Sequence, residues 1–138
     1  MKTEEKYCII GAGPAGLSGA KNLKDLGIPF DGYDAGKDVG GLWNIENPLS
    51  TMYESAHLIS SKKMTEFKDF PMREDVADYP SHKEMCSYFK DYAKHFGLYD
   101  HFTFNTKVLR TVPVGDQWEV ILDNGETKIY KGLIIANG

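Results

Sequence analysis

Apolar and polar positions along this 138-residue chain change period several times, and each change marks an element. The polar start Met1 to Lys6 runs into Tyr7-Cys8-Ile9-Ile10, which predicts a buried first strand over residues 6–10. Leu17, Ala20, Leu23 and Leu26 then recur at helical spacing. They predict a helix from Pro14 to Leu26, with Gly27 as its stop. Phe30 to Tyr33 reads as a second strand, so the first 34 residues form a β-α-β unit. Residues 34–70 lose any clear period. Their aromatic and aliphatic side chains (Leu42, Trp43, Tyr53, Leu58, Ile59, Phe67, Phe70) nonetheless predict an ordered loop packed against a ligand.

Helical spacing returns at Met85, Phe89, Tyr92 and Phe96. Ser81 with Glu84 three residues on predicts a capping box at the start of this helix, and Gly97 ends it. The aromatic stripe reads as core packing. Beyond Phe104 the period shortens. Residues 107–112, 117–122 and 127–130 predict an antiparallel meander, with Asp123-Asn124-Gly125 as a turn. Leu133 to Ala136 reads as a strand buried on both faces, of the parallel-sheet kind. The expected fold is α/β: a Rossmann-like dinucleotide-binding domain over residues 1–138, with a parallel sheet and a small antiparallel β-meander. Such a sheet normally continues into another helix, so the expectation is a truncated domain, the N-terminal part of a longer protein. Apolar sheet surface left exposed in such a fragment predicts self-association.

Composition narrows the classes. Hydrophobic residues make up 41% and charged residues 26%, as in globular proteins. A net charge of −4 argues against a nucleic-acid surface, and no apolar stretch reaches the length of a membrane span. The N-terminus carries no signal-peptide pattern. Cys8 and Cys86 form no C-x-x-C pair and read as buried free thiols of a cytoplasmic protein. His57 falls in the long loop, and His82, His95 and His101 fall at helix or loop positions expected to meet solvent. None has metal-ligand spacing, so no metal site is assigned.

The candidate chemistry lies in the first turn. Gly11, Gly13 and Gly16 of Gly11-Ala12-Gly13-Pro14-Ala15-Gly16 have the G-x-G-x-x-G spacing, set between a predicted strand and a predicted helix. The first glycine permits the tight turn, the second lets backbone approach a pyrophosphate, and the third lets helix pack on strand. Asp34, eighteen positions after Gly16 at the end of the second strand, can accept hydrogen bonds from ribose hydroxyls. A carboxylate there disfavours a 2′-phosphate, with Lys37 only a partial offset, so NADP is not expected at this site. FAD and NAD both remain. Gly40-Gly41-Leu42-Trp43 adds two glycines that let backbone pass close to a bulky ligand, then apolar wall for a flat ring. A glycine turn followed by a core tryptophan fits the same four residues.

These motifs together resemble the FAD-binding N-terminal segment of the flavin-containing monooxygenases. So do Asp69-Phe70-Pro71-Met72, Asp78-Tyr79-Pro80-Ser81-His82, Tyr88-Phe89 with Tyr92-Ala93, His95-Phe96-Gly97, Phe104 to Val108 and Leu133 to Gly138. The resemblance covers nearly the whole chain. It implies an enzyme that uses FAD, NADPH and oxygen to oxygenate a soft nucleophile such as an amine or sulfide. It also implies Gly11 to Gly16 at the FAD pyrophosphate, Asp34 at the ribose in place of the family's usual glutamate, Gly41, Leu42 and Trp43 at the cofactor, and the Val108 backbone near the adenine.

Two departures accompany it. The family's asparagine beside the reactive flavin face corresponds here to Ile59, which cannot hydrogen-bond; Ser60 or Ser61 is the available substitute. The second glycine motif, for NADPH, is not in this chain, so NADPH and a small-molecule substrate are expected only of a full-length protein, and no catalytic residue is assigned. Two other readings stand beside this one. One is a nucleotide-binding module without turnover. The other is a different FAD- or NAD(P)-dependent oxidoreductase of the two-dinucleotide-domain group. A plain NAD dehydrogenase domain needs neither the Gly40–Trp43 loop nor the meander.

Overall fold

A computed structural model describes residues 1–138. A four-stranded parallel sheet has the order β3-β2-β1-β7, from β1 (Tyr7–Ile10), β2 (Phe30–Tyr33), β3 (Phe102–Thr103) and β7 (Gly132–Ile135). A three-stranded antiparallel sheet of β4 (Val108–Val114), β5 (Gln117–Leu122) and β6 (Thr127–Tyr130) forms the expected meander. The helices are α1 (Pro14–Asp25), between β1 and β2 in the chain, and a single turn α2 (Lys62–Thr65) and α3 (His82–His95), between β2 and β3.

The sheet is a middle layer because its strands are apolar on both faces. Successive side chains of a strand point to opposite sides. Ile9 and Phe30 join a core with Leu17 and Ala20 of α1 and Met85, Phe89 and Tyr92 of α3. Cys8 and Tyr33, on the other face, join Val120, Leu122 and Tyr130 of the meander. Helices therefore cover one side of the parallel sheet and the meander covers the other. Both Cys8 and Ile9 are fully buried as a result.

Several boundaries differ from expectation for identifiable reasons. Leu26 is the C-cap of α1 rather than part of its apolar face and is 72% exposed. The β7 strand starts at Gly132 and is half-buried, with Ile135 exposed, because it lies at the edge of the sheet and pairs only with β1. The two-residue strand β3 is too short to show a period, and pairing with β2 through Gly32↔Phe102 creates it. A Cβ at Gly32 would lie 2.4 Å from the Phe102 ring, so this pairing needs the glycine. His82, expected to meet solvent, is buried, with Nε2 3.1 Å from the Glu54 carbonyl oxygen. The capping box forms as read: the Glu84 amide donates to Ser81 Oγ, and the Ser81 amide donates to the Glu84 carboxylate.

Candidate functional site

The carboxyl ends of β1, β2 and β7 open into a cleft of about 530 Å³, the place where open α/β sheets bind ligands. Gly11 turns the chain with φ +107°, and a Cβ there would lie 2.4 Å from the carbonyl oxygen of Ala136 at the end of β7. A Cβ on Gly16 would lie 1.9 Å from the Gly11 carbonyl oxygen, which is the close helix-on-strand approach that the spacing predicts. Gly13 is the N-cap of α1 and Pro14 its first residue, with no side chain capping the end. The amides of Gly13, Ala15 and Gly16 have no backbone acceptor. An uncapped helix start with free amides is a cradle for an anionic oxygen, helped by the helix dipole.

At the other end of this turn, Asp34 spans two loops. Its Oδ2 accepts from the Ala12 amide at 2.7 Å and its Oδ1 from the Gly36 amide at 2.7 Å. Each carboxylate oxygen keeps a second lone pair for a ribose hydroxyl. The polar groups thus fit an adenine dinucleotide: free amides to donate to phosphate at the helix start, and a carboxylate to accept from ribose.

The double glycine has a tertiary role that its sequence does not announce. The Gly40 amide donates to the Ala12 carbonyl at 3.0 Å, and Gly41 lies so close to the first turn that a Cβ on it would be 3.0 Å from Gly13 Cα. Both have positive φ, +113° and +56°. The glycines let backbone pack on backbone, and this packing brings Leu42 and Trp43 to the cleft wall. Leu42 is half-exposed there, while Trp43 also packs on the helix-side core.

Gly11, Gly13, Pro14, Ala15, Asp34, Gly41, Leu42, Trp43 and Val108 all line the cleft. Ala12 and Gly16 do not: they are buried behind it, shaping the turn through backbone alone. Ile59 is also outside it and is 99% exposed. Ser60 bonds Thr65 at 2.7 Å, and Ser61 is the N-cap of α2. Of the long loop, only residues up to Leu49 reach the cleft. Lys37 pairs with Glu46 at 3.1 Å and is not a wall residue.

Asn47, Thr106 and Lys107, to which the sequence assigns no site role, also line the cleft. Asn47 donates to the Gly41 carbonyl at 3.4 Å, and Thr106 is held by its amide on the Asp34 carbonyl at 3.0 Å. No local pattern marks them, because they arrive from loops folded back onto the β2 end.

The chain matches the family described as Flavin-binding monooxygenase-like over residues 4–137. It is 31% identical to human flavin-containing monooxygenase 1 over 97% of its own length and 27% of that protein's. It is 33% identical to mouse dimethylaniline monooxygenase [N-oxide-forming] 4 over 97% of its length and 26% of that protein's. The chain therefore spans about a quarter of the length of these relatives. Among solved structures, the FAD-bound OTEMO superposes with a TM-score of 0.89 at 28% identity, over 100% of this chain and 26% of that one. Open cyclohexanone monooxygenase gives 0.86 at 27% identity, over 96% and 26%. The S-allyl-L-cysteine S-oxygenase of Allium sativum shares the fold, with a TM-score of 0.88 at 23% identity over 96% and 36%. A match running from the first turn to the end of β7, joined to a cleft whose donors suit an adenine dinucleotide, places this chain in the flavin-binding monooxygenase-like family.

Proposed function

We propose that residues 1–138 are the FAD-binding part of a longer monooxygenase, in which NADPH and oxygen serve to oxygenate a soft nucleophile, an amine or a sulfide. The observation that carries the FAD reading is the cleft itself. Gly13 and Ala15, whose amides have no backbone acceptor, the Asp34 carboxylate, and Gly41, Leu42 and Trp43 all line this one cleft. In this reading the amides of Gly13 and Ala15 hold the pyrophosphate, Asp34 holds the ribose, and Leu42 and Trp43 exclude water from the cofactor's flank. Val108 bounds the adenine end. When bound, FAD supplies the redox chemistry of oxygen activation. Ile59, an apolar side chain outside the cleft, offers no hydrogen bond to that chemistry.

An amine substrate is supported by the names of the curated relatives, which include N-oxide-forming enzymes. A second reading, oxygenation of a ketone, is supported by the neighbour named cyclohexanone monooxygenase. The free thiols Cys8 and Cys86 favour a cytoplasmic setting. No helix is long and apolar enough to cross a membrane.

Titration of the purified chain with FAD, followed by quenching of flavin fluorescence and by the visible flavin bands, tests the proposal. Saturable binding is expected. Asp34→Ala is expected to weaken it by roughly 10- to 100-fold, the effect of losing a charge-assisted hydrogen-bond acceptor. A chain that keeps its fold by circular dichroism and takes up no FAD would refute the reading and leave a module without this cofactor.

A further inference from the structure

The meander is joined to the parallel sheet by a partly buried hydrogen-bond relay that no part of the cofactor reading uses. Tyr130 on β6 donates its hydroxyl to Asp31 Oδ2 at 2.8 Å, and Lys6 Nζ lies 2.9 Å from Asp31 Oδ1. The hydroxyls of Tyr33 and Tyr130 are 2.7 Å apart. A phenol has one proton, and Tyr130 has given its own to Asp31, so Tyr33 must donate to Tyr130. The relay therefore has one direction: Tyr33 to Tyr130 to the Asp31 carboxylate, with Lys6 neutralising the far oxygen. Both tyrosines are buried, at 4% and 0% exposure. Burial first, then Tyr33 and Asp31, hold the Tyr130 phenol protonated far above the ordinary tyrosine range.

The relay sits beside the cleft. Tyr33 is a cleft-wall residue adjacent in sequence to Asp34. Tyr130 belongs to the small core on which Ile10 and Val108, two more wall residues, are packed. Val108 begins β4, and the register of β4 on β5 shifts between Val108 and Arg110, so the start of this strand is not held by a regular ladder. Apolar contacts are non-directional, whereas the relay fixes the distance and angle of β6 to β2.

We infer that Tyr130 is a positioning residue for the adenosine end of the cleft. Through Tyr33 and Asp31 it sets the meander, and with it Val108 at the start of β4, at the separation from Asp34 that an adenosine requires, whereas Thr106 is held on the Asp34 carbonyl by its own amide. The inference rests on the FAD reading above.

Tyr130→Phe removes only the hydroxyl. It is expected to raise the FAD dissociation constant about 10-fold and to speed amide hydrogen exchange at the start of β4, from Val108, in the cofactor-free chain. The single variant also leaves Tyr33 with an unpaired buried hydroxyl, which lowers stability by itself. Tyr33→Phe with Tyr130→Phe removes both hydroxyls. It is expected to recover part of the melting temperature, the share due to the Tyr33 hydroxyl, because Asp31 Oδ2 still lacks its donor, while keeping the weakened FAD binding and the faster exchange. Recovery of FAD affinity together with stability would reduce the relay to ordinary folding and overturn the inference. So would unchanged affinity and exchange in Tyr130→Phe, with wild-type FAD binding intact. A wild-type chain that takes up no FAD would overturn the cofactor reading first and this inference with it.

Discussion

Cys8 illustrates how far one residue's chemistry follows from its place in a layer. Burial first and then the nearby Asp31 push its thiol up to about 12. At pH 8 its thiolate fraction is about 10⁻⁴, and the thiolate is the reactive form. Cys86, half-buried on α3, is raised by burial as well but stands partly open. A thiol-reactive chromophore at pH 8 is expected to modify at most one cysteine of the native chain, slowly, and both in denaturant; rapid reaction of two native thiols would contradict the buried β1. At this scale the sequence was informative wherever a residue's role is local backbone geometry. Gly11 and Gly16 are needed for the contacts their spacing announces. It was silent where the role depends on what arrives from elsewhere, as with His82, buried beneath the Glu54 carbonyl, and with Asn47 and Lys107 on the cleft wall.

Among the elements, α3 was the most legible, because its start signal and its apolar stripe agree. Ser81→Ala removes one half of the capping box and is expected to cost about 1 kcal/mol, a fall of roughly 3–5 °C in melting temperature for a chain of this size. Glu84 adds a pH dependence. Its carboxyl is held below the usual range first by the Ala77 amide and then by contacts to Ser81, against the opposing effect of burial. A depressed folded value means that the stabilisation is complete above the unfolded value of 4.5 and is lost as pH falls through the lower folded value. Denaturant unfolding between neutral and acidic pH should therefore show a smaller acid loss for Glu84→Gln than for the wild type. An equal loss would remove Glu84 from that role. The short elements were illegible for a physical reason. The two residues of β3 and the four of α2 carry too few positions for a period; parallel pairing with β2 defines the first, and backbone bonds such as the Glu66 amide to the Lys62 carbonyl define the second.

Across the whole molecule, two surfaces are notable among those that expose apolar side chains. Leu42, Leu49, Tyr53, Ile59 and Met64 stand exposed along the long loop, and Ile135 stands exposed on the unpaired edge of β7. Open edges and apolar patches favour association. Light scattering over a concentration series is expected to show growth beyond the 15.5 kDa monomer, and a constant monomer mass would count against it. The β-α-β unit, the glycine turn with Asp34, the capped α3 and the meander follow from the order of residues alone. Each rests on interactions within a few residues, or on a periodicity that the side chains themselves display. Only the tertiary structure decided that Gly40 and Gly41 pack on the first glycine turn, and that Ala12 and Gly16 lie behind the cleft rather than in its wall. It alone joined Tyr33, Tyr130, Asp31 and Lys6 into one relay, because residues about 100 positions apart meet only when the meander closes on the sheet.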